Sequence, residues 1–368
     1  MGNKKKYVLL CTMLLAASLS GCAAAADKKD AQVPAVSEPA GQESALSEPD
    51  DTNTAENEES RDARPEDKNG DRDGSGGPRS GERGNTGRNG GQAVETDEAV
   101  LSVMAEGSEK FQQYTFEDPE TGLTLKYNLY IPESYAEDTE YPLLMFIPDA
   151  TAPGKTTKEI VEQYYGADIW VTDEEQEKHP SFVLVPNFSE VVVDDGFTVS
   201  GQVETVVNLI DSLCSEYSLD TGRLYTTGQS MGCMTSLYLN AKYPGLFAAS
   251  LFVSGQWDIS VLSPLEDETF FYITAGGDAK ASGGQEEVMA MFEEDGIGYS
   301  YGEWSAQDSE EEQSEAAGEL ISQGFSANFI RFETGTVLKD GNTMEHMASF
   351  NYAYRIPAVR DWLFEQGE

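Results

Sequence analysis

The sequence predicts an α/β domain, a mostly parallel central sheet flanked by helices, from about residue 109 to the C-terminus. Six apolar runs in this part are nearly continuous rather than alternating, as strands are when both faces of a sheet are covered. Between them apolar residues recur at helical spacing, so strand and helix alternate and stack into three layers. A third observation ties this architecture to chemistry: Gly228-Gln229-Ser230-Met231-Gly232 stands at one strand-to-helix junction.

The chain has 368 residues, and its first hundred read differently from the rest. Lys4, Lys5 and Lys6 precede an apolar stretch from Tyr7 to Leu19, which ends in Leu19-Ser20-Gly21-Cys22. This is the layout of a secretory signal over residues 1–21. The apolar run is shorter than the about 18 residues that suggest a membrane span. Its ending resembles the bacterial lipobox, which implies cleavage before Cys22, a lipid on that cysteine, and an extracytoplasmic protein anchored to the cell membrane. From Asp27 to about Glu98 the residues are mainly Ser, Glu, Asp, Pro, Gly and Arg. Such a stretch buries too little apolar surface to offset its ordering entropy, so residues 22–108 are expected to be a disordered acidic, Gly-rich linker.

The net charge is −42. Half of the 24 Lys and Arg but only 19 of the 66 Asp and Glu lie within the first 100 positions, so the folded part carries most of that charge. A surface this acidic repels phosphate backbones, which argues against a nucleic acid partner. Cys11 would leave with the signal, and Cys214 and Cys233 are read as free thiols in helical segments. Neither they nor the two histidines show metal-ligand spacing, so no metal site is expected.

Asp118-Pro119-Glu120-Thr121-Gly122 is a turn signal, and Leu123 to Pro132 alternates as a half-buried strand. The continuous runs follow: Pro142 to Pro148, Ser181 to Pro186, Arg223 to Gly228, Phe247 to Gly255, Thr269 to Gly277 and Ser326 to Glu333. Val203, Val206, Val207, Ile210 and Leu213 share one helical face, as do Met234, Leu237, Tyr238 and Ala241. A last helix is expected over about residues 351–366, with Pro357 in its first turn or kinking it. The acidic run from Asp308 to Glu319 is read as the solvated face of a helix, and Asp220 with Arg223 as a brace before the strand that ends at Gly228. Trp257 and Trp304 either line a cleft or pack in the core.

Ser230 directly follows a buried strand and directly precedes a helix. Gly228 and Gly232 admit the close backbone approach such a turn needs, and the serine is pushed outward in a strained conformation. The helix N-terminus and the Met231 N–H then face any oxyanion formed on attack. A serine hydroxyl needs a base, and the base needs an orienting acid. His346 follows the last strand and precedes the last helix, whereas His179 leads into a buried strand and is read as structural. Asp278 ends the run from Thr269, and Asp258, which follows the preceding strand, is the competing acid.

From about Phe111 onward the chain resembles the secreted α/β-hydrolase esterases, the group of feruloyl and acetyl-xylan esterases and polyhydroxybutyrate depolymerases, with kinship to prolyl-oligopeptidase-type peptidases. The resemblance is carried by Leu129-Tyr130-Ile131-Pro132, YPLLMFIPDA, HPSFVLVPNF, LDTGRLYTTGQSMG, Gly276-Gly277-Asp278 and EHMASFNYAY. It implies an α/β-hydrolase fold with Ser230 as nucleophile, Asp278 as acid and His346 as base, no cofactor, and a small-molecule or polysaccharide ester as substrate. One departure stands out. Where relatives carry a His-Gly segment this chain has Pro148-Asp149-Ala150-Thr151. The second oxyanion donor is then the N–H of Asp149 or Ala150, and an Asp149 carboxylate pointing inward is expected to oppose the developing charge. A peptidase with the same triad, or a catalytically weak binding lipoprotein, remains the alternative.

Overall fold

The computed structural model describes residues 97–339 and 343–367. The expected signal, Cys22 and most of the expected linker lie outside these residues. Among the described residues nine strands form one sheet: β1 (Gln112–Glu117), β2 (Thr124–Tyr130), β3 (Tyr141–Ile147), β4 (Phe182–Asn187), β5 (Leu219–Gln229), β6 (Ala249–Val253), β7 (Phe270–Ala275), β8 (Ser300–Trp304) and β9 (Ala327–Phe332). Their order is β1-β2-β4-β3-β5-β6-β7-β9-β8. β1 pairs antiparallel with β2, and β2 antiparallel with β4; from β4 to β8 every pairing is parallel.

Every residue of β3, β4, β6 and β7 is buried, which is why their sequences are unbroken apolar runs. Successive side chains still point to opposite faces. Leu144, Phe146, Val183 and Val185 join one apolar layer, and Leu143, Met145, Phe182 and Leu184 join the other. The helices, in chain order, are α1 (Glu98–Gly107), α2 (Thr157–Val161), α3 (Tyr165–Asp168), α4 (Asp173–Lys178), α5 (Gln202–Glu216), α6 (Met231–Lys242), α7 (Ala279–Asp295), α8 (Glu310–Ile321), α9 (Glu345–Tyr354) and α10 (Pro357–Phe364). None is long and apolar enough to cross a membrane. Buried residues of α5, α6 and α7 pack on the second layer, and those of α1, α8, α9 and α10 on the first.

Three expectations need correcting. The linker was expected to run to residue 108, but residues 98–107 form α1. Asp97 caps this helix by accepting from the Ala99 N–H at 3.0 Å, and Val100 is buried against the domain. Arg355 pairs with Asp97 at 3.1 Å, and Lys158 donates to the Ser108 carbonyl at 2.8 Å, so the helix is fastened at both ends. Second, β1 and β8 went unseen because both are polar, alternating edge strands rather than buried runs. Third, the last helix is two helices. Pro357 opens α10, where its missing N–H costs nothing, and α9 has already ended at Tyr354. The acidic run does form α8, capped by a reciprocal Ser309 and Glu312 pair.

Candidate active site

The site is assembled at the carboxyl ends of β5, β7 and β9. Ser230 lies between β5 and α6 with φ 53° and ψ −116°, a left-handed conformation that non-glycine residues rarely adopt. Its N–H is held by the Val253 carbonyl at 3.0 Å. Both flanking glycines are obligatory. A Cβ on Gly228 would stand 2.5 Å from the Gly232 carbonyl carbon, and one on Gly232 would stand 1.9 Å from the Ile147 oxygen. The same contact presses the start of the loop after β3 against the turn. Met231 is the first residue of α6, so its N–H has no partner within the helix and points out of the helix end.

Asp278 caps α7 and its side chain is 7% exposed; His346, at the start of α9, is 32% exposed. His346 Nδ1 stands 2.6 Å from Asp278 Oδ2, and His346 Nε2 stands 2.8 Å from Ser230 Oγ. The structure therefore brings together the three side chains singled out in the sequence, 116 and 68 residues apart. Asp258 stays away: it caps a short turn by accepting from Ser260 N–H at 3.0 Å. A deprotonated carboxylate accepting from Nδ1 fixes the tautomer that leaves Nε2 free to accept from the serine.

Asp149 does point inward, and it is buried, but its charge is already engaged. Oδ1 accepts from Thr151 N–H at 2.8 Å, Thr151 hydroxyl at 2.7 Å and Tyr164 hydroxyl at 2.9 Å, and Oδ2 accepts from Gln229 Nε2 at 3.0 Å. Burial, with the Asp149 charge adding to it, pushes the Tyr164 hydroxyl far above its ordinary pKa, so it stays a donor. The expected opposition to an oxyanion is thus blunted by four donors. Beside this cluster a cavity of about 590 Å³ is lined by Asp149, Gln229, Tyr164, Met347 and Phe350, with Met104 of α1 also in its wall.

No family model matches the chain. Acetylxylan esterase A of Aspergillus ficuum is 28% identical over 163 residues, 42% of this chain and 50% of that protein. Acetylxylan esterase A of Emericella nidulans is 36% identical over 55 residues, 15% of this chain and 18% of that one. The chain spans half or less of the length of these curated relatives. A solved thermostable esterase superposes with a TM-score of 0.57 at 24% identity, covering 71% of this chain and 64% of that structure. The chain has the α/β-hydrolase fold, and its curated relatives are named as esterases.

Two supports of this site escaped the sequence reading. Glu345, next to the histidine, accepts from the Gly277 N–H at 2.8 Å and the Gly335 N–H at 2.7 Å, so it clamps the turn that carries Asp278. A Cβ on Gly277 would stand 2.0 Å from Glu345 Oε1, so any side chain there would push the clamping carboxylate aside. Ser254, also in the left-handed region with φ 49°, exchanges a hydrogen bond with Ser349 at 2.7 Å, and Ser349 donates to the His346 carbonyl at 2.8 Å. The only advance signal was the glycine pair beside Asp278. Trp257 and Trp304 are both buried in the two apolar layers, Trp257 beneath Phe197, so packing is their role. Cys214 and Cys233 are unpaired, and burial raises both thiols above their ordinary pKa.

Proposed function

We propose that the protein is a serine carboxylic ester hydrolase working through an acyl-enzyme. The observation that carries this reading is His346 standing between Ser230 Oγ at 2.8 Å and Asp278 at 2.6 Å. His346 Nε2 takes the Ser230 proton as Oγ bonds to the ester carbonyl carbon, and Asp278 stabilises the imidazolium without taking its proton. The carbonyl oxygen becomes an oxyanion that accepts from the Met231 N–H and from the N–H of Asp149 or Ala150, with the positive end of α6 behind it. As the carbonyl reforms, the C–O bond to the alcohol breaks and the alcohol leaves with the proton from Nε2. Water then attacks the acyl carbon, gives its proton to His346, and releases the acid and free Ser230 by the same steps in reverse order.

The chemistry uses these side chains, two backbone N–H groups and water, and the acidic surface favours neutral or cationic substrates over strongly anionic ones. Relatives named as acetylxylan esterases support a short acyl group on a polysaccharide. We further propose an extracytoplasmic location, with residues 1–21 removed, a lipid on Cys22, and a tether joining it to a catalytic unit that begins at α1. Incubation with a fluorophosphonate probe and mass spectrometry tests the catalytic reading. Labelling is expected on Ser230 and absent in Ser230→Ala, with p-nitrophenyl acetate and acetylated xylan hydrolysed and peptide anilides left intact. An unlabelled Ser230 in folded protein, or cleavage of anilides alone, overturns it. Cys22→Ala is expected to move the protein from membranes to the soluble fraction.

A further inference from the structure

Asp149 poses a problem that its burial sharpens. A carboxylate 3% exposed, in the loop expected to supply an oxyanion donor, places a full negative charge where catalysis concentrates another. The hydrogen bonds suggest what it is for. They come from three separate segments: Thr151 in its own loop, Tyr164 at the start of α3, and Gln229 at the end of β5, one residue before Ser230. Tyr164 and Gln229 are themselves 3% and 4% exposed, so water competes little for the two bonds they make. The loop also closes on itself, with the Ala152 N–H donating to the Asp149 carbonyl at 3.1 Å.

We propose that Asp149 is a positioning residue: its carboxylate ties the loop after β3 to the nucleophile's strand through Gln229 and so sets the second oxyanion donor against the first. This rests on the ester hydrolase reading above. A carboxylate suits the task because both oxygens only accept, and every group facing them donates. The useful feature is then the set of fixed acceptors, and the charge is a cost the four donors offset. Oxyanion donors act only when held in place before charge develops, so loss of the tie lowers turnover more than ground-state binding.

Steady-state hydrolysis of p-nitrophenyl acetate by the full chain tests this. Asp149→Ala removes every acceptor and is expected to lower kcat about 10²-fold, the effect of one misplaced donor, with KM within about threefold. Asp149→Asn is expected to stay within about tenfold of wild type, since its Oδ1 still accepts from Thr151 and Tyr164 while its amide meets a turned Gln229. Gln229→Met, which keeps the volume and deletes the tie, is expected to lose about tenfold and to add little to Asp149→Ala. An unchanged kcat in Asp149→Ala overturns the proposal, as does a loss confined to KM, or losses of Asp149→Ala and Gln229→Met that multiply. If Gln229→Met alone is folded and fully active, the proposal also fails. Should wild type and Ser230→Ala both be inert, the hydrolase reading itself falls, whereas an active wild type with an equally active Asp149→Ala removes only this inference.

Discussion

The protein holds two histidines, and each stands against an aspartate and an aromatic ring, yet only one meets a serine. His346 contacts Asp278 through Nδ1 and crosses Phe350 edge-on, with ring centroids 5.2 Å apart at 80°, leaving Nε2 toward Ser230. His179 spends Nε2 on Asp361 at 2.9 Å and lies flat on Phe364, centroids 4.9 Å apart at 13°. Asp278 is buried while Asp361 is 40% exposed. Glu175 lies close to the second pair, but Arg360 already holds it at 2.7 Å. The difference is one of position in the fold. His346 sits where the parallel strands end, the edge at which open α/β sheets collect functional groups; His179 sits where β4 begins, and there it joins the last helix to the body. A histidine and an aspartate are not a site until the backbone brings a third group to the free nitrogen.

Substitution separates the two pairs most widely at the histidine. His346→Ala is expected to lower kcat for p-nitrophenyl acetate on the order of 10⁶-fold, as loss of the base disables the whole triad. His179→Ala is expected to stay within twofold of wild type in the same assay, and comparable losses at both would erase the distinction. At the acid the gap narrows. Asp278→Asn reverses the tautomer preference and is expected to lose about 10⁴-fold. Asp361→Asn is expected to leave kcat unchanged.

A third aspartate shows what happens with no hydrogen-bond partner. Asp168 is fully buried, both its carboxylate oxygens lack a hydrogen bond, and burial pushes its pKa up to about 9. It lies beneath the end of α1, where a Cβ on Gly107 would stand 2.6 Å from its own Cβ. The folded protein therefore keeps this carboxyl protonated while the unfolded chain ionises it near pH 4. Below that pH both states hold the proton and there is no penalty; as pH rises toward 9 stability is lost by up to about 1.4 kcal/mol per unit. Asp168→Asn cannot ionise, so its stability relative to wild type is expected to grow from pH 5 to pH 8 in thermal melts. Parallel curves would mean that the carboxyl finds a partner or water.

What could be read in advance follows from range along the chain. The turn at Ser230 was legible because its requirements are local: a buried strand, two glycines that close contacts demand, and a helix start. Asp278 and His346 could be ordered after it because each ends a strand or follows one. The Asp149 ties to Tyr164 and Gln229 span 15 and 80 residues and leave no pattern in either segment, so the charge could be anticipated but its donors could not. α1 was missed for a different reason. It buries only Val100 and Gly107 fully, and its fastening comes from Arg355 and Lys158 far along the sequence. Composition saw a linker; a buried valine, one tertiary ion pair and one hydrogen bond to a backbone carbonyl hold a helix.

The smallest expected effect tests what the second histidine is for. Its aspartate is partly exposed, and a pair in that setting contributes about 0.5 kcal/mol or less, so Asp361→Asn is expected to shift Tm by no more than about 1–2 °C. The ring should matter more. His179 stacks on Phe364, which in turn packs edge-on against Trp170 and Tyr225, so the imidazole caps an aromatic column that holds α10 to the sheet. His179→Ala is expected to cost about 1 kcal/mol and about 2–4 °C, whereas His179→Phe, which keeps the stack and drops the hydrogen bond, should recover most of it. If Phe fares no better than Ala, the hydrogen bond to Asp361 and not the ring fastens the helix, and the two histidines differ less than their surroundings suggest.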